Sequence, residues 1–266
     1  MKKRILFVFA TICILSLCGC SSFYRKIPDD DSASALRITE PALVAQLVTS
    51  LQRANETLRS YKGLGRVKFS RSYAIQSARV VFAGDDTCKL RFELLGIYGQ
   101  PITSIAYDGS WFYLAQHSEN LFHKQRHSKG DLSQLITIPV KLGELNALLA
   151  GHVPMIKPSS VQLYKTPENE GFRLVLKTGW LKHKQEHIYI LPDMKTVWKY
   201  EMFEKPNVLL YEAEIKHYRT YEGYWIPQHI EFIDKDKNSL SLEVERYWPN
   251  AEIDSSLFVL KKVVDD

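Results

Sequence analysis

Two histidines and a glutamate stand at a spacing that could bind a catalytic zinc ion. His183, Glu186 and His187 match the H-x-x-E-H pattern of inverted zinc metalloproteases. That chemistry requires a helix, because residues four apart share a face there. The motif instead runs into Ile188–Leu191, an apolar run typical of a strand, which would place His183 and His187 roughly 13 Å apart. The sequence therefore argues against a metal, and an envelope hydrolase using these three residues is an alternative that metal analysis would test.

Other histidines and paired acidic residues offer no better catalytic site. His123 and His127 flank the basic segment 124–126, which is typical of a loop. The acidic pairs 85–86 and 265–266 fall in a predicted turn and at the end of the sequence, where solvation explains them. The sequence has no nucleophile elbow, Walker loop or dinucleotide fingerprint. We expect neither catalysis nor a cofactor.

The amino-terminal cysteine motif carries more specific chemistry. The basic residues 2–4 precede the apolar run Ile5–Leu17, which is too short for a stable membrane span and is typical of a signal peptide. The run ends in Leu17–Cys20, which resembles the bacterial lipobox, and only a cysteine offers the nucleophilic sulfur that diacylglycerol transfer needs. We predict a lipoprotein signal peptide at 1–19 and lipidation of Cys20. An ordinary secretory leader with an accidental cysteine is the alternative.

Lipidation of Cys20 would set the location of the mature protein. Each buried CH₂ group of its acyl chains would contribute about 0.8 kcal/mol to anchoring in membrane lipid. Ser21, rather than Asp, follows the cysteine, and by resemblance to bacterial sorting rules this predicts a periplasm-facing anchor in the outer membrane. Residues 20–38 are predicted to be a flexible tether. Cys88 then has no disulfide partner, and we expect it to be a small hydrophobe in a strand.

Composition and charge place the rest of the chain among globular proteins. Of its 266 residues 45% are hydrophobic and 24% charged, which excludes wholesale disorder and fibrous repeats. An aromatic share of 12% favours strands and apolar cavities over a helical bundle. The net charge of +5 falls to +2 once the three leader cations are removed, so no nucleic-acid partner is predicted.

Two segments have the apolar spacing of helices. The first has leucine and alanine at helical intervals: Leu43, Leu47, Leu51, Ala54 and Leu58. Gly63 and Gly65 are predicted to end it. The second is predicted from about Asp131, with a break at Pro139 and a resumption over 142–150.

Most of the remaining sequence has the alternating pattern of strands. The predicted strands are 79–83, 89–94, 102–107, 111–115, 161–165, 172–178, 187–191, 196–203, 208–218, 225–233 and 240–247. Because no helices alternate with them, their connections should be antiparallel. One face of each strand is apolar: Leu209, Tyr211, Ala213 and Ile215 alternate with Glu212, Glu214 and Lys216, and Leu240, Leu242 and Val244 alternate with Glu243 and Glu245. We predict one mainly β domain over 39–266.

Aromatic residues on one strand face could line the interior of such a sheet. Trp198, Tyr200 and Met202 alternate along one predicted strand, and a wide sheet could curl around them. Periodicity does not decide whether that interior is partly empty or filled by the helices.

A resemblance to a known family is carried by Tyr61–Val67, Ser77–Phe82, Arg91–Gln100 and Ile138–Val140, with Leu145, Leu148, Leu149, Ala150 and Gly151. Over roughly residues 40 to 155 the sequence resembles the LolB family of outer-membrane lipoprotein receptors, within the wider LolA/LolB-like carrier superfamily. Tyr224–Pro227 and Ile253–Phe258 are more similar to the LolA-like carriers. The chain is longer than a typical LolB, and Ile97 and Tyr98 replace the family's Pro-Leu.

The resemblance implies a single strongly curved antiparallel sheet, an incomplete barrel whose open side is covered by helices. It also implies an apolar cavity for acyl chains, with the lining residues Trp111, Tyr113, Trp198, Tyr200, Met202 and Tyr211. We therefore expect a non-enzymatic receptor that accepts lipoproteins or lipids from a periplasmic LolA-like carrier for membrane insertion. A scaffold lipoprotein with the same fold and a packed interior is the alternative.

A loop with two large apolar side chains corresponds to the family's protruding loop. Leu95, Ile97 and Tyr98 lie between two predicted strands, where polar residues are usual. By resemblance the three residues would form a membrane-delivery loop. Alternatively, Ile97 and Tyr98 fold back as a plug of the core.

Overall fold

The computed structural model describes residues 36–71, 74–126, 138–167, 170–179 and 184–262. Their helices are α1 (Pro41–Arg53) and α2 (Leu142–Leu149), with 3₁₀ turns at His117–Glu119 and Ser255–Phe258. Their strands are β1 (Leu36–Ile38), β2 (Ser60–Arg71), β3 (Ala74–Asp85), β4 (Leu90–Leu95), β5 (Pro101–Tyr107), β6 (Trp111–Gln116), β7 (Leu121–Arg126), β8 (Ser160–Lys165), β9 (Phe172–Lys177), β10 (Gln185–Ile190), β11 (Val197–Lys205), β12 (Val208–Tyr221), β13 (Tyr224–Asp234) and β14 (Ser239–Pro249).

The strands form one antiparallel sheet in the order β1-β8-β9-β10-β11-β12-β13-β14-β2-β3-β4-β5-β6-β7. Most neighbours are joined by hairpins, and the pairs β1–β8 and β14–β2 bring distant parts of the chain together. Among the described residues β1 and β7 do not pair, so the sheet stays open as an incomplete barrel. The predicted mainly β fold is confirmed.

The two helices pack on one face of the sheet, which we call the inner face. Leu47 and Leu51 of α1 and Leu145, Leu148 and Leu149 of α2 join the inner side chains of the strands in one buried core. The predicted alternation is confirmed on this face. Every second residue there is buried, including Tyr211, Ala213, Ile215, Leu240, Leu242 and Val244.

The helix α1 ends earlier than predicted. It stops at Arg53, and both Gly63 and Gly65 lie inside β2. A Cβ atom on Gly63 would overlap the Phe82 ring, and one on Gly65 would overlap the backbone carbonyl of Glu243. The glycines therefore permit a close approach between strands and do not mark the end of a helix.

Three local predictions are wrong. The last residues of the predicted tether, Leu36–Ile38, pair with β8 as strand β1. The basic segment 124–126 belongs to the edge strand β7, where it pairs with Trp111–Tyr113 of β6. Cys88 is exposed and lies in the β3–β4 turn with a φ of +67°, so it is not a strand residue.

Several predictions fall outside the described residues. They concern the signal peptide, Cys20, Asp131, His127, His183 and the acidic pair 265–266. Within the described ranges no helix is long and apolar enough to cross a membrane.

Candidate acyl-binding and membrane-contact sites

Three of the predicted lining residues meet on the inner face of the sheet. Tyr200 and Met202 lie on β11, and Tyr211 lies directly opposite Met202 on β12. All three side chains are at most 2% exposed. The tyrosine rings lie 6.1 Å apart, so these residues pack against each other within the core.

Trp198 does not join them, which corrects the sequence prediction. The pairing of β10 with β11 passes from Tyr189–Lys199 to Ile190–Val197, so Trp198 is the extra residue of a β-bulge. The bulge places Trp198 beside Tyr189 on the outer face, with ring centroids 5.5 Å apart. Simple alternation fails here because it assumes an unbroken period of two.

Trp111 and Tyr113 also lie away from the interior. They pack on the outer face of β6 with Ala106 and Leu260, whereas the intervening Phe112 belongs to the main core. The Lys124 ammonium group lies 4.5 Å from the centre of the Trp111 ring. The predicted six-residue lining is therefore divided between two faces of the sheet.

The interior around Tyr200 and Tyr211 is filled by a buried polar network. The Tyr200 hydroxyl donates to Glu186 Oε1 at 3.0 Å, and the backbone N–H of Ile156 donates to Oε2 at 2.9 Å. The Tyr211 hydroxyl donates to Glu144 Oε2 at 2.6 Å. These bonds tie α2 and the segment after it to β10, β11 and β12.

The second carboxylate of this network, that of Glu144, is paired with a cation at the start of α2. Glu144 is the third residue of α2, and its carboxylate accepts the N–H of Lys141 and pairs with the Lys141 ammonium group at 2.7 Å. Glu186 lies deeper and is only 1% exposed. Burial, with a smaller contribution from the Glu144 charge, raises the pKa of Glu186 to about 7, although two hydrogen bonds lower it.

In the sequence, Glu186 stands out only as part of the zinc-binding pattern. On β10 it points into the core with Ile188 and Ile190, while His187 points outward and contacts Glu201 at 3.2 Å. Glu186 and His187 therefore lie on opposite faces and do not converge on one ion. A glutamate at an apolar position of an alternating strand was the signal that could have identified the buried network.

The loop between β4 and β5 presents its two apolar side chains to solvent. Ile97 is 89% exposed and Tyr98 is 88% exposed, so neither plugs the core. Two backbone hydrogen bonds fix the loop, from Gly96 to Gln100 at 2.8 Å and from Gly99 to Gly96 at 3.0 Å. Leu95 is the last residue of β4 and is half-buried.

Further exposed apolar residues lie at the same end of the sheet. The strand registers place the loop after β4 at the end that also carries the β2–β3 and β11–β12 hairpins. Ile75 and Val208, in those hairpins, are 61% and 43% exposed. Several exposed apolar side chains therefore lie at one end of the sheet, where a single partner surface would contact them together.

The chain shares its fold with solved structures of several bacterial proteins. No known family model and no curated protein matches the sequence. A DUF1329-family protein from Desulfovibrio piger aligns with a TM-score of 0.60 and 7% identity over 82% of this chain and 96% of that chain. A domain described as an outer membrane lipoprotein-sorting protein from Vibrio parahaemolyticus gives 0.58 and 8% identity over 81% and 94%. A LolA-superfamily protein from Nitrosomonas europaea gives 0.55 and 12% identity over 82% and 97%. The likeness is one of fold.

Proposed function

We propose that this protein is a non-enzymatic lipoprotein of the outer membrane that binds acyl chains, accepts lipoproteins or lipids from a LolA-like periplasmic carrier and delivers them to the membrane. In this proposal the lipid on Cys20 anchors the protein, and the receptor role is that of LolB. Exposing a lipid tail to water costs about 0.8 kcal/mol of free energy per CH₂ group, so delivery requires a continuous apolar route.

The exposed loop is the observation that carries this proposal. Two adjacent large apolar side chains that are almost fully in water would be stabilised by a partner surface that covers both of them. A lipid bilayer suits Ile97 and Tyr98, because an aromatic ring with a polar tip favours the membrane interface. The shared fold supports the same class of function, since two of the similar structures are described by lipoprotein sorting or by the LolA superfamily.

Charge in this loop should block delivery without unfolding the protein. We expect Ile97→Glu with Tyr98→Glu to reduce cargo transfer into liposomes at least tenfold, because two carboxylates cannot enter an apolar membrane layer. Transfer is measured as the movement of an acylated fluorescent peptide from the carrier, through this protein, into liposomes. The free energy of unfolding should change by less than about 0.5 kcal/mol, because both side chains are surface residues.

A matched double variant controls for added charge. Leu36 and Leu191 are also exposed, and the strand registers place both at the opposite end of the sheet. Leu36→Glu with Leu191→Glu should transfer cargo at the rate of the unmodified protein. Normal transfer by the loop variant would mean that Ile97 and Tyr98 do not contact the membrane.

The anchor is tested by removing the thiol that would be lipidated. We expect Cys20→Ala to leave an unprocessed precursor or to release the protein from the outer membrane, because no acyl chain is attached. Cell fractionation measures this, with Cys88→Ala as the control that leaves the lipobox intact. A Cys20→Ala variant that stays in the outer-membrane fraction would exclude lipidation as the anchor.

The packed interior favours a second candidate, a scaffold lipoprotein that uses this fold to bind a protein partner. Tyr200, Tyr211 and Glu186 fill the space where the sequence predicted acyl chains. A fluorescent acyl probe separates the two functions. Saturable binding that palmitate displaces supports acyl binding, and its absence supports the scaffold.

A further inference from the structure

Residues 250–260, which follow β14, cross the outer face of the sheet and are called the strap below. Its first residue is tied to β2 by a hydrogen bond from the Asn250 N–H to the Ser60 carbonyl at 2.7 Å. Farther along, Leu260 packs on Ala106 and Tyr113 of β5 and β6. The strap therefore spans the surface from β2 to β6 on the side opposite the helices.

Two cationic side chains hold the strap above the sheet. The Lys62 ammonium group donates to the carbonyl of Glu252 at 2.8 Å, and the Arg91 guanidinium donates to the carbonyl of Leu257 at 2.6 Å. Lys62 and Arg91 both flank Ala83 in neighbouring strands. The strap is thus supported at two points, with the small side chain of Ala83 on the sheet between them.

A groove of about 670 Å³ lies at this place. Val81 and Ala83 form its floor, and its walls come from Trp248, Pro249, Ala251 and Leu257. Its surface is mostly apolar, and Lys62, Arg91, Glu93 and Glu222 contribute charged groups to its lining. The volume falls within the range of about 300–1,000 Å³ typical of sites for small organic ligands.

The charged groups around the groove favour a ligand with an anionic head group. Glu93 pairs with Arg91 and neutralises it. Glu222 also lines the groove but forms no ion pair with Lys62. Lys62 is bonded to a backbone carbonyl and has no carboxylate within ion-pair distance in the part of the chain that the structure describes. An apolar groove with an ammonium group at its edge matches a long alkyl chain that ends in a carboxylate.

We propose that this outer groove binds one long-chain fatty acid, with the alkyl chain under the strap and the carboxylate beside Lys62. The inference rests on the proposed acyl-binding function and assigns it a site. That site lies outside the packed interior, on the face of the sheet that the helices do not cover. The groove extends from β14 to β4, and the exposed loop follows β4 in the same half of the sheet.

Filling the groove provides the test. Ala83→Phe would place a ring on its floor, and Ser77→Phe places the same ring on the same face of β3 at an exposed position outside the groove. Binding of a fluorescent palmitate analogue is measured by titration, and thermal unfolding checks the fold. We expect Ala83→Phe to weaken binding at least tenfold and Ser77→Phe to leave it unchanged. Should Ala83→Phe fail to fold, Ala251→Phe fills the same space from the strap.

The head-group assignment has its own variant. Lys62→Gln keeps a donor for the Glu252 carbonyl and removes the positive charge. It should weaken binding of the fatty-acid probe severalfold and leave binding of the corresponding fatty-alcohol probe unchanged. An equal effect on both probes would overturn the role of Lys62.

The outcomes separate this inference from the proposed function. Binding by the unmodified protein that persists in Ala83→Phe and Ala251→Phe would overturn the groove as the site and leave acyl binding standing. No binding by the unmodified protein would overturn both. Loss of binding in the groove-filling variants, with Ser77→Phe normal, supports both.

Discussion

Replacing Glu186 with Gln is expected to raise the free energy of unfolding at pH 8 by about 3 kcal/mol. The carboxyl group is 1% exposed, and burial raises its pKa from an ordinary value of 4.5 to about 7. At pH 8 the folded protein must hold a buried charge that the unfolded chain holds in water. A glutamine fills the same space without that charge, and its amide can bond to both the Ile156 N–H and the Tyr200 hydroxyl.

The same reasoning fixes the sign of the pH dependence. Between pH 4.5 and about 7 the folded state keeps a proton on Glu186 that the unfolded state has lost, so the stability of the unmodified protein falls as the pH rises. Its contribution is fully favourable below pH 4.5 and is lost as the pH passes through about 7. Glu186→Gln should remove this slope. Urea unfolding at a series of pH values between 4.5 and 8 measures the difference between the two proteins.

Glu201 provides a control of opposite sign on the other face of the same sheet. Burial raises its pKa, but hydrogen bonds with His187 and Lys199 outweigh this and lower the pKa of Glu201 to about 2. Its stabilising contribution is present above pH 4.5 and is lost as the pH falls through about 2. Glu201→Gln should therefore destabilise the protein at neutral pH. If the free energy of unfolding of Glu186→Gln and of the unmodified protein changed with pH by the same amount, Glu186 would not be a buried charge at pH 8.

Replacing Gly65 with Val should destabilise the protein by about 3 kcal/mol, the upper part of the usual range for overpacking. A Cβ atom at this position would meet the backbone carbonyl of Glu243, which cannot rotate away as a side chain could. The contact lies beside an irregularity in the pairing of β14 with β2. Val244 pairs with Gly65 and Arg246 pairs with Leu64, so Glu245 between them has no partner in the register. Any movement of this carbonyl would disturb the pairing that joins the two halves of the sheet.

Gly143→Ala is the matched control for Gly65→Val. Nothing lies within 4 Å of a Cβ atom at Gly143, which is in α2. Because alanine favours the helix, this change should be neutral or stabilise the protein by up to about 1 kcal/mol. Chemical denaturation measures both variants. Equal stability of Gly65→Val and the unmodified protein would show that β2 and β14 do not approach as closely as described.

The fold class could be predicted because it depends on local patterns. The strands have a period of two, and turn residues separate them, so Leu240, Leu242 and Val244 could be assigned to a buried face without tertiary information. Helix ends were less predictable. Gly63 and Gly65 have the residue type of a helix stop. The actual role of Gly63 depends on the Phe82 ring of β3, and that of Gly65 on the Glu243 carbonyl of β14, about 180 residues away in sequence.

The candidate sites depended on more than the local pattern. Alternation shows that Trp111 and Tyr113 share a face of β6. The core covers one face of this strand and the strap covers the other, so both faces are apolar. The alternating pattern therefore does not show which face is the interior. Trp198 moved to the outer face through a single bulged residue, and periodicity has no signal for that insertion.

The sequence alone determined that the protein should have an alternating antiparallel sheet and a loop with two apolar side chains, because both are written in neighbouring residues. The tertiary structure alone decided how that sheet is used. It placed Glu186 and Glu144 in one buried network, exposed Ile97 and Tyr98, and set Lys62 and Arg91 beneath the strap. The physical reason is that burial, charge compensation and cavity volume are properties of residues far apart in the chain, and only the paired strands bring them together.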